Sequence, residues 1–231
     1  MFRALLHRLS AALPGQCALC HAWPASPVCP ACMARFVQPR SRCKLCALPL
    51  PAGLERCGAC IKDAPPLDRC LAVVSYEYPW SGLIARYKFG TSPGWSAALG
   101  RLMRDSPGVA AAVDAADLLL PLPLSPQRLR ERGFNQALEL ARQLAPGKTR
   151  ADLLLRLRDT PAQSSLPLSR RLRNVQDAFG LATGAPDVLQ GRSLVLVDDV
   201  MTSGATLHAA ARLLRTAGAT HITGLVLART E

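Results

Sequence analysis

The chain is short of aromatic residues, of acids and above all of lysine. Phe, Trp and Tyr make up 5% of its 231 residues, too few to support nucleobase recognition by stacking on aromatic platforms. Asp and Glu number 16 against 28 Lys and Arg, a formal net charge of +12, so an anionic ligand or polymer suits it better than a cationic one. Only four of the basic residues are lysines and 24 are arginines. That bias toward Arg means that a single arginine is as readily a solvated basic surface as a functional group. No apolar run is long enough to span a bilayer, because Pro or Arg interrupts each one. The N-terminal MFRALLHRLSAALPGQ is basic and partly apolar, but Arg3, His7 and Arg8 cut it short of an export signal. An amphipathic helix and a cytoplasmic protein are expected. There is no GKS or GKT, which excludes a Walker-type phosphate loop.

Cysteine, by contrast, is abundant. Eight of nine fall into CxxC pairs: Cys17 with Cys20, Cys29 with Cys32, Cys43 with Cys46, and Cys57 with Cys60. In a reducing compartment this spacing points to metal, since two CxxC turns complete a closed tetrahedral thiolate site that is structural rather than catalytic. One or two Zn²⁺ ions are expected. Taking the pairs in order gives 17/20/29/32 and 43/46/57/60, and spacing alone also permits an interleaved arrangement. Disulfides are the competing reading, disfavoured without an export signal. Two Zn(Cys)4 centres would lower the formal +12 to about +8. Cys70 stands apart and reads as a buried, inert thiol. Trp23 and Phe36 are expected to pack over the metal. Between Pro14 and Pro66 long apolar runs are few and Pro and Gly are frequent, so metal must replace a hydrophobic core there. A module of residues 1–66 followed by a larger domain of 67–231 is the implied organisation.

The most informative stretch is SLVLVDDVMTSGATLHAAARLLRTAGA, residues 193–219. An apolar strand leads into Asp198 and Asp199. The loop Val200, Met201, Thr202, Ser203, Gly204, Ala205, Thr206 follows, and then a helix marked by Leu207, Ala210, Ala211 and Leu214. Free N–H groups and the positive helix end make the loop an anion site. Carboxylates beside an anion are counterproductive unless they hold hydroxyls or offset positive charge. The acid pair is therefore assigned to a sugar whose phosphate sits in the loop. Asp residues acting only as turn formers or helix caps are the bland alternative.

A second segment, SPQRLRERGFNQALELARQLA, places Arg128, Arg130, Arg132 and Gly133 between a strand tip in DLLLPLPL and a helix capped by Asn135. A loop there could wrap a pyrophosphate. Residues 156–181 lack a core pattern and read as a mobile cover that aims Gln163, Arg170, Arg173 and Asn174 at a substrate. A strand is expected at Cys70–Tyr78, and helices at Trp80–Gly90 and Trp95–Arg104.

The acid pair with its loop resembles the phosphoribosyl pyrophosphate (PRPP) signature of type I phosphoribosyltransferases. The order of motifs is paired CxxC, YKF at 87–89, PLPLSPQRLRERGFNQA, TPAQSSLPLSRRLRNVQDAF and VLVDDVMTSGATL. As a whole it resembles the ComF family of bacterial competence and DNA-utilisation proteins. The resemblance implies an α/β fold with a type I phosphoribosyltransferase-like parallel sheet and flanking helices, preceded by a small zinc-ribbon module. It implies Asp198 and Asp199 on ribose, residues 200–206 on the 5′-phosphate, Arg128, Arg132 and Gly133 on pyrophosphate, and Mg²⁺ accompanying PRPP. It also implies a role in handling internalised single-stranded DNA. The alternative is a non-catalytic single-stranded-DNA scaffold, or an adaptor for a helicase-type competence partner. From Ser125 to Arg173 there are 11 Lys and Arg against 4 Asp and Glu, a surplus that suits either a nucleic-acid backbone or PRPP.

Overall fold

The computed structural model describes residues 15–23, 26–89, 94–158 and 178–231. The amphipathic helix expected within residues 1–14 lies outside them, as do Gln163, Arg170, Arg173 and Asn174. The chain forms two compact units, residues 1–38 and 39–231. No helix among the described residues is long and apolar enough to cross a membrane.

The first unit contains the helix α1, Pro30–Phe36. Cys17, Cys29 and Cys32 are buried together, with Leu19, Val28 and Phe36 packed against them. Phe36 thus fills its expected place, whereas Trp23 is 62% exposed and is not among the residues packed against these cysteines.

The second unit begins with another cysteine-rich turn and α2, Gly58–Lys62. Four strands follow, β1 (Arg69–Ser75), β2 (Leu118–Pro121), β5 (Ser193–Met201) and β6 (His221–Arg229), forming one sheet in the order β1-β6-β5-β2. Every pairing is parallel, with Cys70 beside Gly224, Leu196 beside Gly224 and Leu120 beside Leu196. Parallel strands covered on both faces carry unbroken apolar runs rather than alternation. β6 does so, with Ile222 through Ala228 buried. That strand, which the sequence patterns above did not single out, pairs on both sides and lies inside the sheet.

Helices α3 (Trp80–Phe89), α4 (Trp95–Arg104) and α5 (Val109–Ala115) connect β1 to β2. Between β2 and the capped helix α7 (Gln136–Leu144), the expected arginine loop is itself helical: α6 spans Pro126–Arg132. The local reasons are a Ser125 side chain that accepts the Arg128 N–H, Pro126 in the first turn, and Gly133 closing the helix in the left-handed region. Asn135 caps α7 as expected, its Oδ1 accepting from Ala137 and Leu138, while its Nδ2 donates to the Leu122 carbonyl at 3.1 Å. The bounds of residues 159–177 are held by an antiparallel pair, β3 (Leu154–Arg156) and β4 (Phe179–Leu181). α8 (Ala185–Leu189) precedes β5, and α9 (Ala205–Thr216) joins β5 to β6. Leu207 of α9 can approach β6 because position 224 is Gly: a Cβ there would lie 2.9 Å from Leu207 Cδ2.

The second cysteine group belongs to this unit. Cys43, Leu45, Cys46, Ala47, Cys57 and Cys60 share one apolar cluster with Leu67, Cys70, Leu207 and Val226. The Cys70 N–H donates to the Lys44 carbonyl at 2.7 Å. The compact units therefore part at Gln38, ahead of the cysteine-rich turn, while the change in composition comes at Pro65–Pro66.

Candidate phosphate-and-sugar site and thiolate centres

The two cysteine groups pair in sequence order. The sulfurs of Cys17, Cys20, Cys29 and Cys32 lie within 4.8 Å of one another, and so do those of Cys43, Cys46, Cys57 and Cys60. Both are built alike. The first CxxC forms a turn, and the second starts a helix, with Cys29 and Cys57 at the N-cap and Cys32 and Cys60 on the first turn. The backbone N–H of Cys29 donates to Cys17 Sγ at 3.3 Å and that of Cys57 to Cys43 Sγ at 3.4 Å. Burial by itself raises a thiol, but N–H groups from Cys20, Cys29 and Leu19 draw Cys17 down to about 6. Those of Cys57, Leu45 and Cys46 likewise draw Cys43 down to about 7. All eight are free thiols. In the absence of an ion, burial and the neighbouring sulfurs push Cys32, Cys46 and Cys60 up, so each group holds one acidic thiol among four soft donors close enough to share one ion, a set that fits Zn²⁺ with no open position. Cys70 is different: it is 3% exposed in β1 and burial pushes its thiol up to about 12.

The acid pair lies inside β5, near its C-terminal end rather than after it, at the carboxyl edge of the sheet. Open α/β sheets place ligands at that edge. Side chains alternate along a strand, and the two acids have different surroundings. Asp199 is buried and receives Lys88 Nζ at 3.0 Å and Arg132 Nη1 at 4.0 Å. Asp198 accepts the Asp199 N–H at 2.8 Å and forms no ion pair among the described residues. Desolvation first, and the neighbouring Asp199 charge second, push Asp198 up to about 7, with Lys88 pulling the other way.

Arg132 is held firmly. It donates to Gln136 Oε1 at 3.0 Å and its guanidinium lies 5.5 Å over the Phe89 ring. The Tyr87 hydroxyl donates to the Gln136 carbonyl at 3.1 Å, and Tyr87 meets Phe134 ring to ring at 5.5 Å. Gln136 is 1% exposed, and its Nε2 has no partner among the described residues. Of the other expected pyrophosphate residues, Arg128 makes no ion pair with the acids among the described residues, and Gly133 closes α6.

After β5, Thr202 is exposed and Ser203 and Thr206 are half-buried, so their hydroxyls are within reach of a ligand. Ser203 Oγ accepts the Ala205 N–H at 3.4 Å. Gly204 starts α9 with φ +79, and a Cβ there would meet Met201 Cε at 2.4 Å and His208 Nε2 at 2.8 Å. The turn can therefore be made only by glycine. Burial holds His208 down to about 4, so it is neutral beneath the loop, and its Nε2 is unpartnered among the described residues. The loop is braced from β6. Arg229, 8% exposed, donates from Nη1 to the Met201 carbonyl at 3.3 Å and from Nε to the Cys46 carbonyl at 2.9 Å. One buried guanidinium thus spans the second thiolate turn and the start of the phosphate loop.

The structure brings together Asp199 and Arg132 of the expected residues and adds Lys88, Gln136 and Arg229. Lys88 lies in the YKF motif, yet nothing in the local pattern announced its partner. The available signal was compositional: a lysine retained near a helix end in a chain that otherwise uses arginine. For Mg²⁺ the acid pair supplies the hard oxygen donors that the ion prefers. Among the described residues the cysteine groups alone bring three or more metal-ligating side chains together, and these are soft donors, so any Mg²⁺ would be held chiefly by a ligand's own oxygens and water.

A parallel sheet with an acid pair and a glycine-started helix at its carboxyl edge defines a phosphoribosyltransferase-type domain. The family model for the phosphoribosyl transferase domain accordingly matches residues 129–230. Over nearly its whole length the chain is similar to the DNA utilization protein YhgH of Salmonella typhimurium, with 34% identity over 94% of this chain and 98% of that protein. It is 32% identical to competence protein F of Haemophilus influenzae over 81% of this chain and 84% of that one. It is 30% identical to competence protein ComFC of Bacillus subtilis over 83% and 79%. The chain belongs to the ComF family.

Proposed function

We propose that the chain binds PRPP and acts as a phosphoribosyltransferase-type protein in the handling of internalised single-stranded DNA. The observation that carries the first part is the meeting of Lys88 and Arg132 on Asp199, beside a phosphate loop, at one sheet edge. The 5′-phosphate would take the N–H groups of residues 202–206 and the hydroxyls of Thr202, Ser203 and Thr206. The ribose hydroxyls would take Asp198 and Asp199, and the diphosphate would face Arg132, with Arg128 and Gly133 on the same short helix and its end. Displacement of pyrophosphate from the anomeric carbon builds positive charge on the sugar, which the two carboxylates oppose electrostatically. When bound, Mg²⁺ supplies further charge neutralisation of the leaving diphosphate. The cover read from the sequence over residues 156–181 is assigned the exclusion of water, and its Gln163, Arg170, Arg173 and Asn174, outside the described residues, the contact with substrate. One Zn²⁺ in each thiolate group holds the cysteine-rich turns together, and the protein works in the cytoplasm.

The DNA role rests on the names carried by the relatives, which concern DNA utilisation and competence, and on the basic surplus between Ser125 and Arg173. The second reading, a non-catalytic scaffold for single-stranded DNA or a helicase-type partner, uses the same surplus without turnover. Calorimetry with PRPP and Mg²⁺ on wild type and on the Asp198→Asn, Asp199→Asn double variant tests the pocket. Binding by wild type and its loss in the variant is the expected result, and pyrophosphate release across nucleobases and DNA then separates enzyme from scaffold. Oligonucleotide affinity that does not change with salt would remove the DNA reading.

A further inference from the structure

The pairing of Lys88 with Asp199 presents a conflict that ligand binding has to resolve. The side chains are 16% and 10% exposed and 3.0 Å apart, so each is the other's main compensation for lost hydration. Two cations face this one carboxylate, and a sugar that used its oxygens as hydroxyl acceptors would compete directly with the nearer of them. The two cations differ in freedom. Arg132 is fixed by Gln136 Oε1 and the Phe89 ring, whereas Lys88 carries its charge on a flexible four-carbon stem at the end of α3. An ammonium displaced at this depth needs another anion at once.

Resting on the PRPP reading above, we propose that Lys88 is a diphosphate-binding residue, held on Asp199 in the unliganded protein and transferred to the diphosphate when the sugar takes the carboxylate. The exchange keeps both charges paired throughout. It hands the carboxylate to the ribose hydroxyls and delivers a protein cation to the leaving group. No proton or covalent bond is moved.

The test is calorimetry at fixed Mg²⁺ with three probes, ribose 5-phosphate, inorganic pyrophosphate and PRPP, on wild type, Lys88→Gln and Lys88→Arg. Zinc content and circular dichroism show that each variant is folded. Lys88→Gln is expected to weaken PRPP at least tenfold, to leave pyrophosphate alone within threefold because no sugar then draws Lys88 off Asp199, and to leave ribose 5-phosphate bound as well or more tightly because its hydroxyls no longer compete with an ammonium. Lys88→Arg is expected to recover most of the PRPP affinity. An equal loss for all three probes would make Lys88 a packing residue and overturn the proposal, as would an unchanged affinity for PRPP. Failure of the wild type itself to bind any sugar phosphate would overturn the PRPP reading and this inference with it, a signature seen without any variant.

Discussion

Asp198→Asn should make the protein more stable, and increasingly so as the pH rises. The native carboxyl is pushed from its ordinary 3.8 to about 7, mainly by desolvation and then by Asp199. A carboxyl raised on folding favours the protonated native state. Its contribution is therefore fully present below about 3.8 and is lost as the pH climbs through about 7. The interval between the two values corresponds to about 4 kcal/mol at high pH, an upper figure because the two acids titrate together. From about pH 5.5 to about pH 8.5 some 2 kcal/mol of that should appear. Asparagine keeps an Oδ1 to accept the Asp199 N–H, which lies 2.8 Å from Asp198 Oδ1, so the change removes charge with little change of shape. Urea denaturation of both proteins at each pH gives the stability difference, and subtracting one curve from the other cancels the titrating groups that do not interact with Asp198. A difference that stayed flat with pH, or that favoured wild type more at alkaline pH, would refute the claim that Asp198 is held protonated by its surroundings.

Other outcomes follow from the same geometry. Gly204→Ala combines a left-handed φ with a Cβ 2.4 Å from Met201 Cε and should cost about 1–3 kcal/mol; loss of sugar-phosphate binding in a chain that still melts cooperatively is the expected readout. Metal analysis should find two Zn²⁺ per chain, and substituting Cys57 should remove one of them and lower the melting temperature, because the second group shares its apolar cluster with β1, β6 and α9. Arg229→Met leaves the Cys46 carbonyl without its buried donor and removes one of two donors to the Met201 carbonyl, which keeps the Thr230 N–H, and should cost about 1–3 kcal/mol. Faster hydrogen exchange in residues 201–206 would mark the loss of the brace, and Arg229→Lys should restore part of it. Asn135→Ala should cost about 1 kcal/mol by uncapping α7, read from the denaturation midpoint.

The features legible in the sequence are those whose cause lies within a few residues. CxxC spacing dictates a thiolate turn wherever it stands, and both groups formed as in-order pairs. Periodicity and a capping side chain located α3, α4, α7 and α9, and Asn135 does cap α7. The DDVMTSGAT run showed a strand end with two acids, a glycine turn and a helix start because the three are contiguous. Tertiary structure decided what depends on approach between distant segments. It alone brought Lys88 from the end of α3, and Arg132 from a helix the sequence reading treated as a loop, onto Asp199. It placed β6 inside the sheet, where an unbroken apolar run carries no alternation to distinguish a strand from a buried helix. It also joined the second thiolate group to the α/β unit through Arg229 and Cys70. Spacing determines which groups can form locally; charge pairing and burial, set only when the chain has closed on itself, determine which of them share a site.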